Sequence, residues 1–336
     1  MRVGVLGLGF MGSMHIRAWR QVDGATLTAV YSSDPRKLQG DLSSIQGNLG
    51  APGEKYDFSS VHRFSSIDDL LADPGVDAVD ICLPTDLHAP VALKALEAGK
   101  DVLVEKPLAL TGEEAEDLVK EARARRRILM TAQVLRFFPA YVALRDALQS
   151  GRCGPVRAAS FRRRCAAPVW NEWLKDPGRS GGGVFDLLIH DVDFTLHLFG
   201  RPQALSAVGY EDLERGIDVI TATLHFDSVP VVIAGGWHHR KSFPFSMDYT
   251  VVTEAATFEY SSLSDSAIQY GASGETEPMP LSKDDAFAAE LRYFARCVRE
   301  RRWPELCPPE ESAAAVKLAR AMAEARSRPG EKLPWS

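Results

Sequence analysis

The sequence predicts an α/β chain in two parts: a doubly wound parallel sheet over residues 1–128, then an α+β domain over 129–336 built on an open, mostly antiparallel sheet. Three observations lead there. The 336 residues exceed the roughly 250–300 at which a single core stops growing. Up to about residue 128, short apolar runs alternate with helix-period segments, the pattern of a parallel sheet covered on both faces. Beyond Pro139 the period shortens to two, as in Val219-Ile220-Thr221-Ala222-Thr223-Leu224, which suits antiparallel strands with one covered face.

Taken in order, segments 3–6, 27–31, 78–83 and 101–104 are continuous apolar runs, expected of parallel strands buried on both faces. Segment 129–135 reads as the last strand of the first sheet. Helical periods fall at 11–22, 66–72, 87–99 and 112–127. The last ends in Arg123, Arg125, Arg126 and Arg127, cations that complement the helix dipole. The stretch 40–60, rich in Gly, Ser and Asp, reads as a loop or irregular insertion. In the second part come a helix at 139–149, an alternating run at 157–164 and a helix from Gly183 to about Phe199. Strands follow at 203–210, 217–226, 230–237, 247–254 and 256–260. Helices at 285–300 and 309–327 close the chain, the last free to pack back on the first domain.

Composition narrows the partners. Apolar and charged fractions of 45% and 25% are those of an ordinary soluble protein, and a net charge of −6 does not suit a nucleic-acid-binding surface. The basic run Arg162-Arg163-Arg164 reads equally as the wall of an anion pocket or as a solvated strand face. Five cysteines, odd in number and without a CxxC pair, argue against a disulfide framework or thiolate zinc site and fit a reducing compartment. The chain opens on a strand-like run without a signal-peptide pattern, and no apolar stretch approaches the ~20 residues that span a membrane. A cytoplasmic protein with no membrane partner is expected.

Gly7-Leu8-Gly9-Phe10-Met11-Gly12 is a GxGxxG that follows the first strand and opens a helix. Such glycines permit a tight turn and let backbone N–H groups approach a pyrophosphate on the positive helix end. This is the fingerprint of a Rossmann dinucleotide-binding domain; S-adenosylmethionine methyltransferases share the general layout. About 20 residues on, where a carboxylate would hold the ribose of NAD, stands Ser32, followed by Ser33, Asp34, Pro35, Arg36 and Lys37. Serine can donate to a 2′-phosphate and Arg36 or Lys37 can neutralise it, so NADP is favoured, with NAD possible through Asp34. Asp34 also suits a helix cap with Pro35 in the first helical position.

Glu105-Lys106-Pro107 ends the fifth strand, at the carboxyl edge where open α/β sheets bind ligands. Proline biases Lys106 toward an extended backbone, so its amine can project from the edge. The run Gly181-Gly182-Gly183 precedes a helix on which Asp186, His190 and Asp193 share one face at i, i+4 and i+7. A carboxylate beside an imidazole orients the ring and raises its basicity, which suits a general base near neutral pH. The same pair can be a surface ion pair or a helix cap. The three glycines would let a substrate or cofactor approach the backbone. Trp170, Trp173, Arg179 and Trp237 suit the apolar faces and hydroxyls of a sugar, with Asp193 a further substrate candidate, although tryptophans are also ordinary core residues. His238-His239 has no partner at metal-ligand spacing, so no metal is expected.

Together these segments resemble the glucose–fructose oxidoreductase and inositol dehydrogenase (Gfo/Idh/MocA) family over nearly the whole chain. The resemblance rests on Gly7 to Gly12, Pro84-Thr85-Asp86-Leu87-His88, Glu105-Lys106-Pro107, the Asp186–His190–Asp193 helix and Gly235-Gly236-Trp237. It implies an NAD(P)-dependent oxidoreductase acting on a sugar, polyol or related hydroxy compound, with Lys106, Asp186 and His190 as catalytic residues. His190 would take the hydroxyl proton, Lys106 would stabilise the developing alkoxide, and Asp186 would hold His190 or bind substrate. It further implies that Pro84, Thr85 and His88 lie beside the cofactor, although His88 also suits a plain helix start. A homodimer or homotetramer formed through the open sheet is implied as well. His15 reads as packing. Two relatives' activities remain as alternatives: a nicotinamide-dependent glycoside hydrolase without net redox, and a non-catalytic cofactor-binding sensor. The sequence departs from the family at Ser32, where NAD-preferring members carry aspartate, and at Thr253-Glu254-Ala255-Ala256-Thr257, where a glycine-rich connection is usual and a less tight turn is expected.

Overall fold

The computed structural model describes residues 1–45, 53–168, 172–227 and 229–335, so part of the expected 40–60 loop and Trp170 lie outside the described residues. The chain forms two compact units, Met1–Val134 with Asp284–Val316, and Leu135–Lys283 with Lys317–Ser336. Against the expected division at 128/129, the first of these units runs to Val134 and takes in Asp284–Val316 as well.

The first unit carries six parallel strands, β1 (Arg2–Leu6), β2 (Thr26–Tyr31), β3 (His62–Phe64), β4 (Ala78–Ile81), β5 (Asp101–Glu105) and β6 (Leu129–Ala132), in the order β3-β2-β1-β4-β5-β6. The chain reverses direction across the sheet after β3, so β1 and β4 are neighbours and a crevice opens at their carboxyl ends. β4 and β5 are buried at every residue, as continuous apolar runs require. Helices α1 (Phe10–Trp19), α2 (Pro35–Leu38), α3 (Ile67–Ala72), α4 (His88–Glu97) and α5 (Gly112–Arg125) connect the strands. Their starts are written in the sequence: Asp34 accepts from the Arg36 N–H at 2.9 Å, and Thr111 with Glu114 forms a reciprocal capping box on α5.

The second unit opens with α6 (Pro139–Gln149) and β7 (Val156–Cys165), continues through the one-turn α7 (Pro177–Ser180) and the long α8 (Gly183–Phe199), then runs into strands. These are β8 (Ala204–Asp212), β9 (Ile217–Phe226), β10 (Val229–Trp237), β11 (Ser246–Thr253), β12 (Ala256–Ser261), β13 (Ser266–Gly271) and β14 (Thr276–Pro278). With the terminal β15 (Leu333–Pro334) they form one sheet in the order β14-β13-β12-β11-β7-β10-β9-β8-β15. Only the β7–β10 pair is parallel. On β9 the period of two puts Ile220, Ala222 and Leu224 under α8, while Val219 and Thr221 face away. Tyr141, Phe161, Phe194 and Tyr249 fill the core with edge-on and tilted rings 5.0–6.3 Å apart.

Between these strands and β15 lie α9 (Ala286–Glu300) and α10 (Pro309–Ala325). The whole of α9 belongs to the first unit, where Phe294 packs edge-on against Trp19 of α1 and the following Arg301 pairs with Asp101 at 2.8 Å. A strongly amphipathic helix joins whichever core its apolar face meets, which sequence order does not state.

Two expectations for the sheets are corrected. The β11–β12 connection is a tight one of two residues, Glu254 and Ala255, because the Thr253 hydroxyl accepts from the Ala256 N–H at 3.0 Å and donates to its carbonyl at 2.9 Å. Strands β3, β13, β14 and β15, unread in the sequence, are short and polar or lie at sheet edges, where burial leaves no apolar period.

Candidate active site

The glycine-rich turn links β1 to α1. Gly7 adopts φ +101°, and a Cβ there would come 2.4 Å from the Cys82 carbonyl oxygen. A Cβ on Gly12 would sit 1.9 Å from the Gly7 carbonyl oxygen, so this glycine is required by the close packing of helix on turn. Gly9 differs, since nothing lies within 4 Å of its Cβ position. Open space therefore meets the helix N-terminus, whose first N–H groups, at Phe10, Met11 and Gly12, have no carbonyl partner within the helix. This is a cradle that fits a pyrophosphate, with Phe10 and Met11 partly exposed beside it.

At the end of β2, Ser32 is buried and its hydroxyl accepts from the Asp34 N–H at 3.1 Å. Asp34 turns inward to cap α2 and is held by the Arg36 side chain, which keeps its carboxyl below the ordinary range. Ser33 and Arg36 are exposed and Lys37 is partly so.

The end of β5 is anchored from two sides. The Glu105 carboxylate accepts from the Lys106 backbone N–H at 3.1 Å, and the Lys106–Pro107 peptide is cis. His88, at the start of α4, is fully buried, with Nδ1 2.6 Å from the Pro107 carbonyl oxygen and Nε2 2.8 Å from that of Leu83. Both ring nitrogens are thus spent on backbone. Of the two readings left open for His88, its contacts are those of a tie between the Lys106–Pro107 turn and the Pro84 turn. Burial holds its pKa below the usual value. Thr85 is buried beside it and Pro84 is partly exposed.

His15, read from sequence as packing, is buried but is not an apolar filler. Its Nδ1 lies 2.9 Å from Asp80 on β4, and its Nε2 lies 3.0 Å from Glu105 on β5, a bent ion-pair contact. Trp19 Nε1 donates to the same Asp80 at 2.7 Å, and the Cys82 thiol lies 3.5 Å from it. Among the described residues, His15, Asp80 and Cys82 are the one group whose N, O and S donors come within 4.8 Å of one another. Asp80 is the hydrogen-bonded centre of the cluster, Glu105 meets Nε2 as an ion-pair contact alone, and burial keeps the thiol protonated. A carboxylate inside an apolar parallel strand, Ala78-Val79-Asp80-Ile81, was the sequence signal for it.

In the second unit, α8 presents Asp186 and His190 one turn apart, both partly exposed between buried neighbours. The Asp186 charge is felt at Cys165, whose thiol is pushed up to about 12, first by burial and then by this carboxylate. Asp218, on β9, accepts from the Val184 N–H at 2.8 Å and so caps a helix that starts on glycine, while Arg326 neutralises it. Three sequence assignments on this unit are corrected. Asp193 is no substrate group: it is wholly buried, and both its oxygens accept from Arg136, at 2.7 and 2.8 Å. Trp237 is a core residue, packed with Cys165 and Leu187. A Cβ on Gly183 would strike its indole at 2.4 Å, so this glycine makes room for a core ring rather than for a ligand. The basic run is likewise committed, with Arg163 buried on Asp191 and Arg162 and Arg164 both paired to Asp248. Trp173 and Arg179 stay partly exposed, on the turn Glu172–Lys175 and on α7.

Residues 1–133 match the family model described as the oxidoreductase family with an NAD-binding Rossmann fold, and residues 141–259 match that of the Gfo/Idh/MocA C-terminal domain. The chain belongs to the Gfo/Idh/MocA oxidoreductases. Its relatives include the scyllo-inositol 2-dehydrogenase (NAD(+)) of Bacillus subtilis, 29% identical over 321 residues that cover 90% of this chain and 88% of the relative. The scyllo-inositol 2-dehydrogenase (NADP(+)) of the same organism is 23% identical over 301 residues, covering 88% and 76%. The fold is that of a levoglucosan dehydrogenase crystallised with NADH and levoglucosan, with TM-score 0.85, 17% identity and complete coverage of both chains. Membership makes this Gfo/Idh/MocA protein an NAD(P)-binding oxidoreductase. Since two inositol dehydrogenases of one organism use different cofactors, membership leaves the choice of cofactor to local residues. No helix among the described residues is long and apolar enough to cross a membrane.

Proposed function

We propose that this protein is a dehydrogenase that moves a hydride between a nicotinamide dinucleotide and the carbinol carbon of a sugar, polyol or related hydroxy compound. The observation that carries the reading is the carboxyl edge of the first unit. There the open-sided Gly9 turn and the Glu105–Lys106 end of β5 flank β4 on one sheet. The turn would hold the pyrophosphate through the backbone of Gly9 to Gly12, and the nicotinamide, when bound, supplies the hydride acceptor or donor. His190 takes the hydroxyl proton as general base and returns it in the reverse direction. Lys106 donates to the same oxygen and stabilises alkoxide charge. Asp186, one turn before His190, keeps the ring basic. Trp173 and Arg179 are assigned to the apolar face and the hydroxyl or acid groups of the substrate. The inositol dehydrogenases among the relatives support a cyclic polyol or sugar.

The reading favours NADP. Ser32 occupies the position at which a carboxylate would select NAD, Asp34 is committed to capping α2, and Arg36 and Lys37 stand at the exposed end of β2. The exposed Val208 and Tyr210 on the far face of β8 suit a homodimer or homotetramer through the open sheet, and five free thiols suit a cytoplasmic location. The test is a panel of sugars and polyols assayed by nicotinamide absorbance with NAD and NADP in parallel, together with Lys106→Ala and His190→Ala. Turnover is expected to fall at least 100-fold in each variant, the usual size of an acid–base contribution, with cofactor dissociation constants unchanged. Unchanged turnover in both variants overturns the catalytic assignment, and NAD binding tenfold tighter than NADP overturns the cofactor preference.

A further inference from the structure

The cluster around His15 has no part in the chemistry above, yet it joins the three elements on which that chemistry depends. His15 sits on α1, the helix that carries the glycine-rich turn; Asp80 is on β4; and Glu105 ends β5 beside Lys106. All three side chains are essentially out of solvent, at 0%, 0% and 7% exposure. A carboxylate only accepts, so a bare ring nitrogen 3.0 Å from one would set lone pair against lone pair. Asp80 hydrogen-bonds Nδ1, while Nε2 lies 3.0 Å from Glu105 off the hydrogen-bonding axis, so the second contact is one of charge: a cationic ring sits between two buried carboxylates. Two buried carboxylates in one pocket also repel each other unless a cation separates them. Burial by itself would lower the pKa of the ring, and the Asp80 charge beside it raises it well above the usual value. The remaining neighbours are a protonated Cys82 thiol, the Trp19 N–H on Asp80 and, from α9, the uncharged Phe287 ring 6.2 Å away.

We infer that His15 is a positioning residue: bridging Asp80 and Glu105, it fixes the carboxylate that accepts from the Lys106 N–H and thereby sets Lys106 relative to the glycine-rich turn. Its significance for turnover rests on the assignment of Lys106 above. Histidine suits the task because one rigid ring donates to Asp80 from Nδ1 and places its positive charge 3.0 Å from Glu105 at Nε2, whereas a glutamine amide carries no charge. Without the bridge Glu105 can rotate, and a shift of ~1 Å at a catalytic group can cost about 100-fold in rate.

The experiment uses the full-length protein with His15→Gln, Glu105→Gln and the double variant. In the wild type, ¹⁵N NMR of labelled histidine, assigned by the signal missing from His15→Gln, is expected to show both His15 nitrogens protonated at pH 8. The Lys106 amide proton is expected downfield, moving upfield in both single variants. Turnover should fall roughly 10- to 100-fold in each single variant and no further in the double, while the cofactor dissociation constant changes less than about threefold. A single neutral tautomer for His15, or an unmoved Lys106 amide in His15→Gln, overturns the inference. So do multiplicative losses in the double variant, which would mark two independent structural defects. Should His15→Gln fail to fold, Glu105→Gln alone must still move the Lys106 amide and slow turnover, and its failure to do so also counts against the bridge. A wild type with a protonated His15 but no dehydrogenase activity would instead count against the proposed function, since the NMR readings do not depend on catalysis.

Discussion

Replacing Asp193 by alanine removes a carboxylate that accepts two hydrogen bonds from the Arg136 guanidinium, the most deeply buried one among the described residues of the second unit. Both oxygens of Asp193 accept from Arg136, at 2.7 and 2.8 Å, and the two side chains are 1% and 0% exposed. His197 Nδ1, 3.2 Å from the guanidinium, cannot replace a carboxylate. Breaking a buried pair from one side costs about 3–5 kcal/mol, most of it the penalty of an uncompensated charge. Exchanging both partners for apolar residues, as in Arg136→Met with Asp193→Leu, removes that penalty and is expected to recover most of the loss. A chain of two units does not unfold in one step, so the reading is best taken locally, from hydrogen exchange of the α8 amides. At about 1.4 kcal/mol per factor of ten, Asp193→Ala should speed their exchange by at least roughly 100-fold. Acceleration below tenfold would refute the argument. A raised KM with α8 protection intact would restore Asp193 to the substrate site.

Three further outcomes follow from the geometry. Gly12→Ala places a methyl 1.9 Å from the Gly7 carbonyl oxygen, so the turn must open, and binding of either cofactor, read by fluorescence quenching, should weaken at least about tenfold. Ser32→Asp puts a carboxylate where a 2′-phosphate would lie, and the ratio of NAD to NADP affinity should rise at least about tenfold; an unchanged ratio would show that Ser32 does not face the ribose. His15 gives stability a definite pH slope. Its folded-state pKa is raised, so above ~6.5 the folded protein holds a proton that the unfolded chain has lost. The contribution is complete below ~6.5 and declines by about 1.4 kcal/mol per pH unit as the pH rises toward the folded pKa. Urea unfolding of the first unit between pH 6 and 9 should show that decline in the wild type and a flatter profile in His15→Gln.

The strong periodic signals were legible in the chain because they are local. The glycine spacing dictates a turn, the apolar runs dictate buried parallel strands, and Asp34 announces a helix start whose hydrogen bond closes within two residues. Lys106 and the Asp186–His190 turn could be named as candidates for the same reason, since each is a residue type at a chain position or helical spacing. Long-range pairing carries no such period. That Asp193 belongs to Arg136, that Asp218 caps α8 from another strand and that Trp237 fills the space Gly183 leaves are decided by contacts 34 to 57 residues apart. His15 is joined to Asp80 and to Glu105 in the same way, over 65 and 90 residues. A buried charge needs a partner, but nothing in the local sequence says which one, because the partner is whatever the folded core brings to that point. The sequence by itself determined the sheet, the cofactor turn and the family. The tertiary structure alone decided which polar side chains remain open to chemistry and which are committed to holding the others in place.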